Sequence, residues 1–274
     1  MSGTVPSLSV VFMTVTCAIS FCLPIFLLLY FRIRKRADIL PFFIGCAVML
    51  LFALVIERAC YQIILASPAG DVIRGNLWLY ACYGGFMAGL FEETGRFLAF
   101  KTVLRGRQNK DVNALMYGAG HGGFEAMVLV GIVMINDLVI SIMINSGNTA
   151  ALTNGLSGDA LAQVETAVKQ LIGNPSSEFL LSGFERIFAI TVHIALSVLV
   201  WFAAKYRKCL YLYPLAILIH LLVDGVTVLC QGIGASLLLI EVIVGILSVA
   251  TALIAKLVWK RNTAGSLEDN ANTL

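Results

Sequence analysis

The sequence predicts an all-α membrane protein, a polytopic bundle of about seven transmembrane helices. Three observations predict this fold class. Of the 274 residues, 59% are hydrophobic and only 13% are charged, which is more apolar surface than a soluble domain can bury. The apolar residues fall into long runs, each near the ~20 residues that cross a bilayer as a helix. Lysine and arginine lie mainly at one set of run ends. We therefore expect an integral multi-pass protein surrounded by the lipid bilayer, with no nucleic acid partner.

Seven apolar runs satisfy the length rule for spanning helices. The first is longer than a signal-peptide core and lacks a small-residue cleavage site, so we expect it to be retained. The fourth is too long for one straight crossing, so we expect it to be tilted, or broken near Asn136 and Asp137. The predicted spans cover about residues 7–31, 39–64, 76–104, 112–144, 178–204, 209–229 and 235–259.

Lysine and arginine set the expected orientation, because positively charged loops stay in the cytoplasm. Of the 19 such residues, 14 fall on one side of the predicted bundle, and only Arg74 and Lys169 fall on the other. An odd number of spans then places the N-terminus outside and the C-terminus in the cytoplasm. The residues on the basic side are Arg32, Arg34, Lys35, Arg36, Lys101, Arg105, Arg107, Lys110, Lys205, Arg207, Lys208, Lys256, Lys260 and Arg261.

We expect one membrane bundle over residues 1–261, with a catalytic core at about 76–230. The longest external loop, at about 146–177, contains an amphipathic helix that we expect to lie along the membrane surface, as a cap or as a substrate gate. Residues 262–274 are polar and are expected to form a disordered cytoplasmic tail. The seven cysteines lack the short spacings of a zinc or disulfide framework, so we interpret them as packing residues.

Ionisable residues at membrane depth indicate where function lies, since a charge in lipid is costly. All three histidines of the chain, His121, His193 and His220, fall within predicted spans. Together with Glu93 they lie at similar distances from the basic ends of four helices, roughly 12–18 Å into the membrane at 1.5 Å per residue. Residues at one depth on neighbouring helices can build a single site.

Polar residues spaced four apart share a helix face within these spans. In EETGR, Glu92 and Arg96 form such a pair, and we predict that they neutralise each other. Glycines flank the motifs and predict close helix contacts. The other polar sets are His121 with Glu125 in HGGFE, His220 with Asp224 in HLLVD, and Arg186 seven residues before His193 with Glu185 beside it. The glycines are Gly84, Gly85, Gly89, Gly118, Gly120, Gly122 and Gly123.

These side chains suit hydrolysis at a metal ion. Imidazole and carboxylate ligands favour Zn²⁺, and a catalytic zinc uses about three protein ligands and a water molecule that it makes more acidic. We predict the histidines as the metal ligands, and Glu92 or Glu93 as the base, with Glu93 preferred because Glu92 is the expected partner of Arg96. Arg96 would orient the base or stabilise an oxyanion. Predicted residues around the ligands are Glu125, itself an alternative ligand, Asp224, Glu185 and Arg186.

The ordered set of motifs resembles the YhfC family of intramembrane metalloproteases. EETGR, HGGFE, ERIFAITVH and HLLVD carry the resemblance, over about residues 76–230. More distantly, the motifs look like those of PrsW-type and CAAX-prenyl-protease-type membrane peptidases. Arg96 stands where PrsW-type proteins have lysine, and it follows the glutamates one residue sooner than the basic residue of the CAAX type. His121 stands where both types usually have phenylalanine. These departures leave open which side chains bind metal, and whether the metal or mainly a glutamate activates the water.

The resemblance implies a peptidase in a bacterial cell membrane, with a divalent metal and a membrane protein or lipid-anchored peptide as substrate. It places Glu92 or Glu93 as the catalytic acid/base and the three histidines in the metal or oxyanion shell. A proton- or ion-coupled transporter is the alternative, since it also holds carboxylates and histidines at mid-membrane. The sequence has no internal repeat of the kind that many transporters show. A receptor, a metal-binding scaffold or a haem protein are further alternatives, but the acidic residues favour hydrolysis.

Overall fold

The computed structural model describes residues 3–271, with side chains up to Thr263, and all secondary structure in this range is helical. This confirms the all-α fold class. Two helices, α2 and α5, contain π-helical stretches at Met49–Glu57 and Ala126–Gly131. The helices are α1 (Ser7–Ile33), α2 (Leu40–Leu65), α3 (Pro68–Arg74), α4 (Leu77–Lys101), α5 (Val112–Asn145), α6 (Ala150–Thr153), α7 (Gly158–Gly173), α8 (Ser176–Lys205), α9 (Leu212–Gly232) and α10 (Leu237–Ala271).

Six of these helices are long and apolar enough to cross a membrane: α1, α2, α5, α8, α9 and α10. The seventh predicted span, at about 76–104, is the 25-residue helix α4, which is not among the six. Its second half contains Glu92, Glu93 and Arg96, and such residues lower the hydropathy of a segment. The three side chains are buried at 6%, 0% and 0% exposure, so hydropathy alone understates how apolar the outer surface of α4 is.

The long helix α5 is not broken where the sequence suggested. Residues around Asn136 and Asp137 lie in regular α-helix, from Ile132 to Asn145. The irregular stretch is the π-helix at Ala126–Gly131, directly after Glu125. A π-helical turn adds a residue to the helical repeat and is common at functional sites. It therefore interrupts the regular spacing of α5 without ending the helix.

Three further segments can be compared with the sequence-based expectations. The external loop at about 146–177 contains α6 and α7, and α7 lies where the amphipathic helix was predicted. Between the second and third predicted spans is the short helix α3, which the sequence did not indicate. Helix α10 continues through Ala271, although a disordered tail was expected from Asn262. The last three residues of that predicted tail, 272–274, lie outside the described residues.

By its internal contacts the chain divides into two compact units. Unit 1 comprises residues 1–23 and 126–187, and unit 2 comprises residues 24–125 and 188–274. In unit 1, Thr16 Oγ1 donates a hydrogen bond to the Phe179 carbonyl at 2.5 Å. The apolar core of unit 1 is formed by Val5, Met13, Met134, Ile144, Val168, Leu171 and Phe179.

In unit 2, α4 packs along α9, and α2 packs along the first part of α5. The second half of α8 is almost entirely buried. Trp201 on this helix has no exposed surface, and its indole Nε1 donates to Asp111 Oδ1 at 2.9 Å. Lys205 Nζ donates to the same carboxylate oxygen at 2.6 Å. The polar atom of the buried indole is thus satisfied, as buried donors require.

The contact between α4 and α9 is close because a glycine stands at the crossing. A Cβ atom at Gly85 would lie 2.5 Å from the Leu221 carbonyl oxygen and 2.8 Å from the Gly225 nitrogen. The neighbouring Gly84 faces open space, with no atom within 4 Å of such a Cβ. Only one of two adjacent glycines is therefore needed for packing, as expected for small residues at membrane helix contacts.

We expect Gly85→Ala to destabilise the protein by about 1–3 kcal/mol, because the added methyl group clashes with the backbone of α9. The matched control is Gly84→Ala, which we expect to be neutral or slightly stabilising because alanine favours helix by about 1 kcal/mol over glycine. The measurement is the thermal unfolding midpoint of purified protein in detergent. Equal midpoints for the two variants would contradict the close helix contact.

Candidate metal centre

The candidate residues come together in unit 2 from four helices. Helix α4 carries Glu92, Glu93 and Arg96 on its second half, and α9 lies beside it with the close contact at Gly85. A second close contact joins α5 to α8, since a Cβ at Gly122 would lie 2.9 Å from the His193 Cβ. The helices contributing the other side chains are α5 with His121 and Glu125, α8 with His193, and α9 with His220 and Asp224.

One carboxylate oxygen of Glu92 faces all three histidines. Glu92 Oε2 lies 2.9 Å from His121 Nε2, 3.8 Å from His193 Nδ1 and 4.0 Å from His220 Nε2. The imidazole ring centroids of His121 and His193 are 4.9 Å apart, and those of His193 and His220 are 5.5 Å apart. All four side chains are buried. The structure thus brings the three predicted histidines into one cluster around Glu92.

Glu93 holds the buried guanidinium of Arg96. Arg96 Nη1 donates to both carboxylate oxygens of Glu93, three residues earlier on the same helix. The predicted pairing of Arg96 with Glu92 is therefore wrong. Side chains three and four residues apart both share a helix face, and Glu92 is turned towards the histidines instead.

The same ion pair orients two imidazoles. Arg96 Nη2 donates to His193 Nδ1 at 3.1 Å, because a guanidinium has no acceptor atom. Glu93 Oε1 lies 2.8 Å from His220 Nδ1, so His220 donates through this nitrogen. The other nitrogen of His220, Nε2, lies 3.4 Å from Asp224 Oδ2. Glu93 thus holds His220 and Arg96 in place, whereas Glu92 is the glutamate that faces all three histidines.

Glu125 contacts a different histidine from the one expected. Its Oε2 atom lies 2.5 Å from His193 Nε2, whereas the spacing in HGGFE predicted a contact with His121. His121 turns its Nε2 to Glu92, and Glu125 is the last residue before the π-helical stretch of α5. The carboxylate of Glu125 therefore contacts α8 rather than the histidine one turn earlier on its own helix.

Two predicted residues belong to the other unit. Glu185 and Arg186 lie in unit 1, where they form an ion pair with each other. Their expected role around the metal ligands stays a prediction. A residue that the sequence analysis missed is Tyr117, which is fully buried. Its ring lies 6.0 Å from Arg96 Cζ and 5.9 Å, between centroids, from His121. The sequence could have indicated Tyr117, because it precedes His121 by four residues and therefore lies on the same helix face.

The donor atoms fit a divalent metal ion. Among the described residues, Glu92, His121 and His193 each offer a ligand atom, and these atoms lie within 4.8 Å of one another. Tetrahedral zinc with bonds of about 2.0–2.1 Å holds its ligand atoms about 3.3 Å apart. Imidazole binds metal through a nitrogen lone pair, so an ion at His193 Nδ1 would replace the hydrogen bond that this nitrogen accepts from Arg96 Nη2. In addition, His121 Nδ1 is buried and has no hydrogen-bond partner within the described part of the chain.

Apolar spanning helices and a buried cluster of histidines and carboxylates define an integral multi-pass membrane protein with a candidate metal centre. The model of the family described as YhfC intramembrane metalloprotease matches residues 19–244, and the chain belongs to this family. The uncharacterised membrane protein YhfC of Bacillus subtilis (strain 168) is 38% identical over 244 residues, which cover 88% of this chain and 92% of that relative. No solved structure matches the chain at a significant level. The family resemblance inferred from the motifs is confirmed.

We expect Glu93→Gln to destabilise the protein by about 3–5 kcal/mol, because it removes the carboxylate that neutralises the buried Arg96. Glu92→Gln is the matched control, with the same chemical change one residue away. It should cost much less, since the histidines around Glu92 can become neutral when the carboxylate is lost. Thermal unfolding of both variants in detergent tests this. A larger loss for Glu92→Gln would restore the original pairing of Glu92 with Arg96.

Proposed function

We propose that this protein is an intramembrane peptidase that hydrolyses a peptide bond of a membrane-associated substrate, at a divalent metal ion held by Glu92, His121 and His193. The observation that carries the proposal is the approach of a nitrogen from each histidine to one buried oxygen, Glu92 Oε2. The description of the family as intramembrane metalloproteases supports the same conclusion. The mixed imidazole and carboxylate donors favour zinc among the common metals.

A bound divalent ion would supply Lewis acidity at this position, which makes a water molecule more acidic. The chain itself would then move the proton. His220 donates a hydrogen bond from Nδ1 to Glu93, which leaves the lone pair on its Nε2 atom. This nitrogen can therefore accept a proton from water and return it to the leaving amine. Arg96 balances the charge of Glu93, and Asp224 lies close enough to stabilise the imidazolium that forms.

Arg96 has a second role in this proposal. Its Nε atom is buried and has no hydrogen-bond partner among the residues that the structure describes, whereas Nη1 and Nη2 contact Glu93 and His193. A buried, preorganised donor of fixed charge is the group that stabilises a developing oxyanion best. Because the guanidinium is already fixed by Glu93, it would need little reorganisation when the carbonyl oxygen gains charge.

This assignment differs from the one made from the sequence. There, the three histidines hold the metal and Glu93 is the preferred base. Here, Glu92 replaces His220 as a ligand, and His220 replaces Glu93 as the proton carrier. The second version is favoured because Glu92, His121 and His193 each offer a ligand atom within 4.8 Å of the others, whereas His220 Nε2 lies 4.0 Å from Glu92 Oε2. The two versions differ in which residues determine the metal content.

We expect purified His121→Gln and Glu92→Gln to lose bound metal, whereas His220→Gln retains metal but loses about 10²- to 10⁴-fold in turnover. The measurements are metal content by elemental analysis and the appearance of new peptide amino termini in membranes incubated with each variant. His121→Gln and His220→Gln are a matched pair, because each removes one buried imidazole. Loss of metal in His220→Gln with retention in Glu92→Gln would support the sequence-based assignment instead.

Turnover tests the reaction separately from metal binding. If the wild-type protein and all three variants release the same amino termini, the peptidase proposal is wrong. If the wild-type protein contains metal but the products do not differ, an ion-coupled transporter is favoured, which is the alternative that the sequence analysis left open.

We further infer that α4 is a seventh span, with the N-terminus outside and the C-terminus in the cytoplasm. A helix of 25 residues is about 37 Å long at 1.5 Å per residue, which exceeds the ~30 Å apolar thickness of a bilayer. Its charged residues are buried and paired, so lipid does not have to accommodate them. The distribution of lysine and arginine supports the orientation.

Reporter fusions test this topology. We expect cytoplasmic signals from fusions in the loops at 34–36, 105–110 and 206–208, and an external signal from a fusion near Asn154. The critical pair is a fusion at 66–76 against one at 105–110, since these loops flank α4. Signals from the same side of the membrane would show that α4 does not cross it.

A further inference from the structure

A cavity of about 530 Å³ lies in unit 2 between two loops rich in lysine and arginine, at residues 34–39 and 102–111, which we call the basic loops. We call the cavity the basic pocket. Its lining includes Arg32, Asp38, Ile39, Leu40, Arg107 and Lys110. None of these residues belongs to the candidate metal centre, so the pocket is a separate feature of the molecule.

Positive charge is in excess in the basic pocket. Asp38 is its carboxylate, and it accepts hydrogen bonds from Lys110 Nζ at 2.7 Å and from Asn113 Nδ2 at 3.0 Å. The hydrogen bond from Lys110 lowers the pKa of Asp38, so this group is ionised at neutral pH. The two guanidinium groups, of Arg32 and Arg107, are not balanced by a further carboxylate of the lining.

The guanidinium groups also retain free donors. Arg32 uses Nη1 for the Ala37 carbonyl, at 3.1 Å. Arg107 has no side-chain hydrogen bond among the described residues. Guanidinium groups bind phosphate through paired N–H donors, so two such groups with free donors on one pocket suit a phosphate ligand better than a halide or a lone carboxylate.

The basic loops are fixed to each other by one buried amide. Asn113 has no exposed surface, accepts from the Asp38 backbone nitrogen at 2.9 Å and donates to the Arg107 carbonyl at 3.0 Å. Arg36, in the same loop as Asp38, has a φ of 56°, a left-handed conformation that costs a non-glycine residue about 1 kcal/mol. The fold thus holds like charges close together in a defined arrangement, and an anion would relieve their repulsion.

The basic pocket lies at the membrane boundary, because two spanning helices end there. Arg32 is in the last turn of α1, and Leu40 is the first residue of α2. Ile39 and Leu40 are exposed at 43% and 38%, although both are large and apolar. The pocket therefore presents cationic donors beside an apolar rim, which matches the phosphate and the adjoining apolar part of a phospholipid.

We propose that the basic pocket binds the phosphate group of an anionic phospholipid of the surrounding bilayer. The apolar rim favours a lipid over free phosphate, since a soluble anion has no apolar part to place against Ile39 and Leu40. The arrangement favours a site over diffuse attraction, since Arg34, Lys35 and Arg105 are equally basic and nearby in sequence but do not line the pocket.

Lipid retention tests the proposal. Wild-type protein is reconstituted in vesicles of phosphatidylcholine alone or of equal parts phosphatidylcholine and phosphatidylglycerol, extracted gently, and examined by native mass spectrometry for bound lipid. We expect retained phosphatidylglycerol, and about fivefold weaker retention in Arg107→Gln, since each basic residue near a membrane surface contributes about 1 kcal/mol to binding an anionic lipid. The matched control, Arg105→Gln, removes the same charge from the same turn and should retain lipid as the wild type does.

A second pair, Arg32→Gln against Arg34→Gln, repeats the comparison on the other loop and keeps the test decisive if one variant fails to fold. Equal retention within both pairs would overturn the proposal, because diffuse charge would then explain the binding. Addition of inorganic phosphate to the phosphatidylcholine sample distinguishes the two sources of the ligand. Thermal stabilisation by phosphate equal to that by phosphatidylglycerol would identify a free anion and would also overturn the lipid assignment.

Discussion

The buried ion pair between Glu93 and Arg96 is the interaction on which the candidate site depends. A guanidinium that stays protonated cannot be left unpaired in a low-dielectric interior, and Glu93 supplies its counter-charge. The remaining hydrogen-bonding capacity of the pair then fixes His193 and His220. Glu92 is left to face the imidazoles. One structural requirement, the neutralisation of Arg96, thus divides two adjacent glutamates into a supporting residue and a residue of the cluster.

Glycine makes this network possible by removing side chains between helices. A Cβ atom at Gly85 would clash with the backbone of α9, and a Cβ atom at Gly122 would clash with the side chain of His193. Such close approach lets polar side chains from four helices reach each other. The polar network and the helix packing therefore depend on the same positions.

Composition and periodicity were sufficient to predict an all-helical membrane protein, and matching depths predicted that three histidines meet. The choice of partners within the cluster was not predictable. Glu92 and Glu93 point about 100° apart around the helix axis, and Arg96 can reach either one, so only the neighbouring helices decide. Glu125 was assigned to His121 because residues four apart share a helix face, whereas its carboxylate contacts His193 on a neighbouring helix. The sequence predicted a span at the position of α4, whereas its hydropathy does not meet the criterion for spanning helices; a sequence does not reveal that the ionisable side chains responsible are buried.

Glu93 and its hydrogen-bond partner His220 lie far apart in the sequence, so they are synthesised at different times. Glu93 precedes its partner His220 by 127 residues, so the ribosome delivers α9 roughly 6–25 s after α4 at ordinary elongation rates. During that interval Glu93 has only Arg96, one turn along its own helix, to balance its charge. An ion pair within one helix therefore balances the charge of Arg96 in the nascent chain as well as in the finished protein, before the later helices have been made.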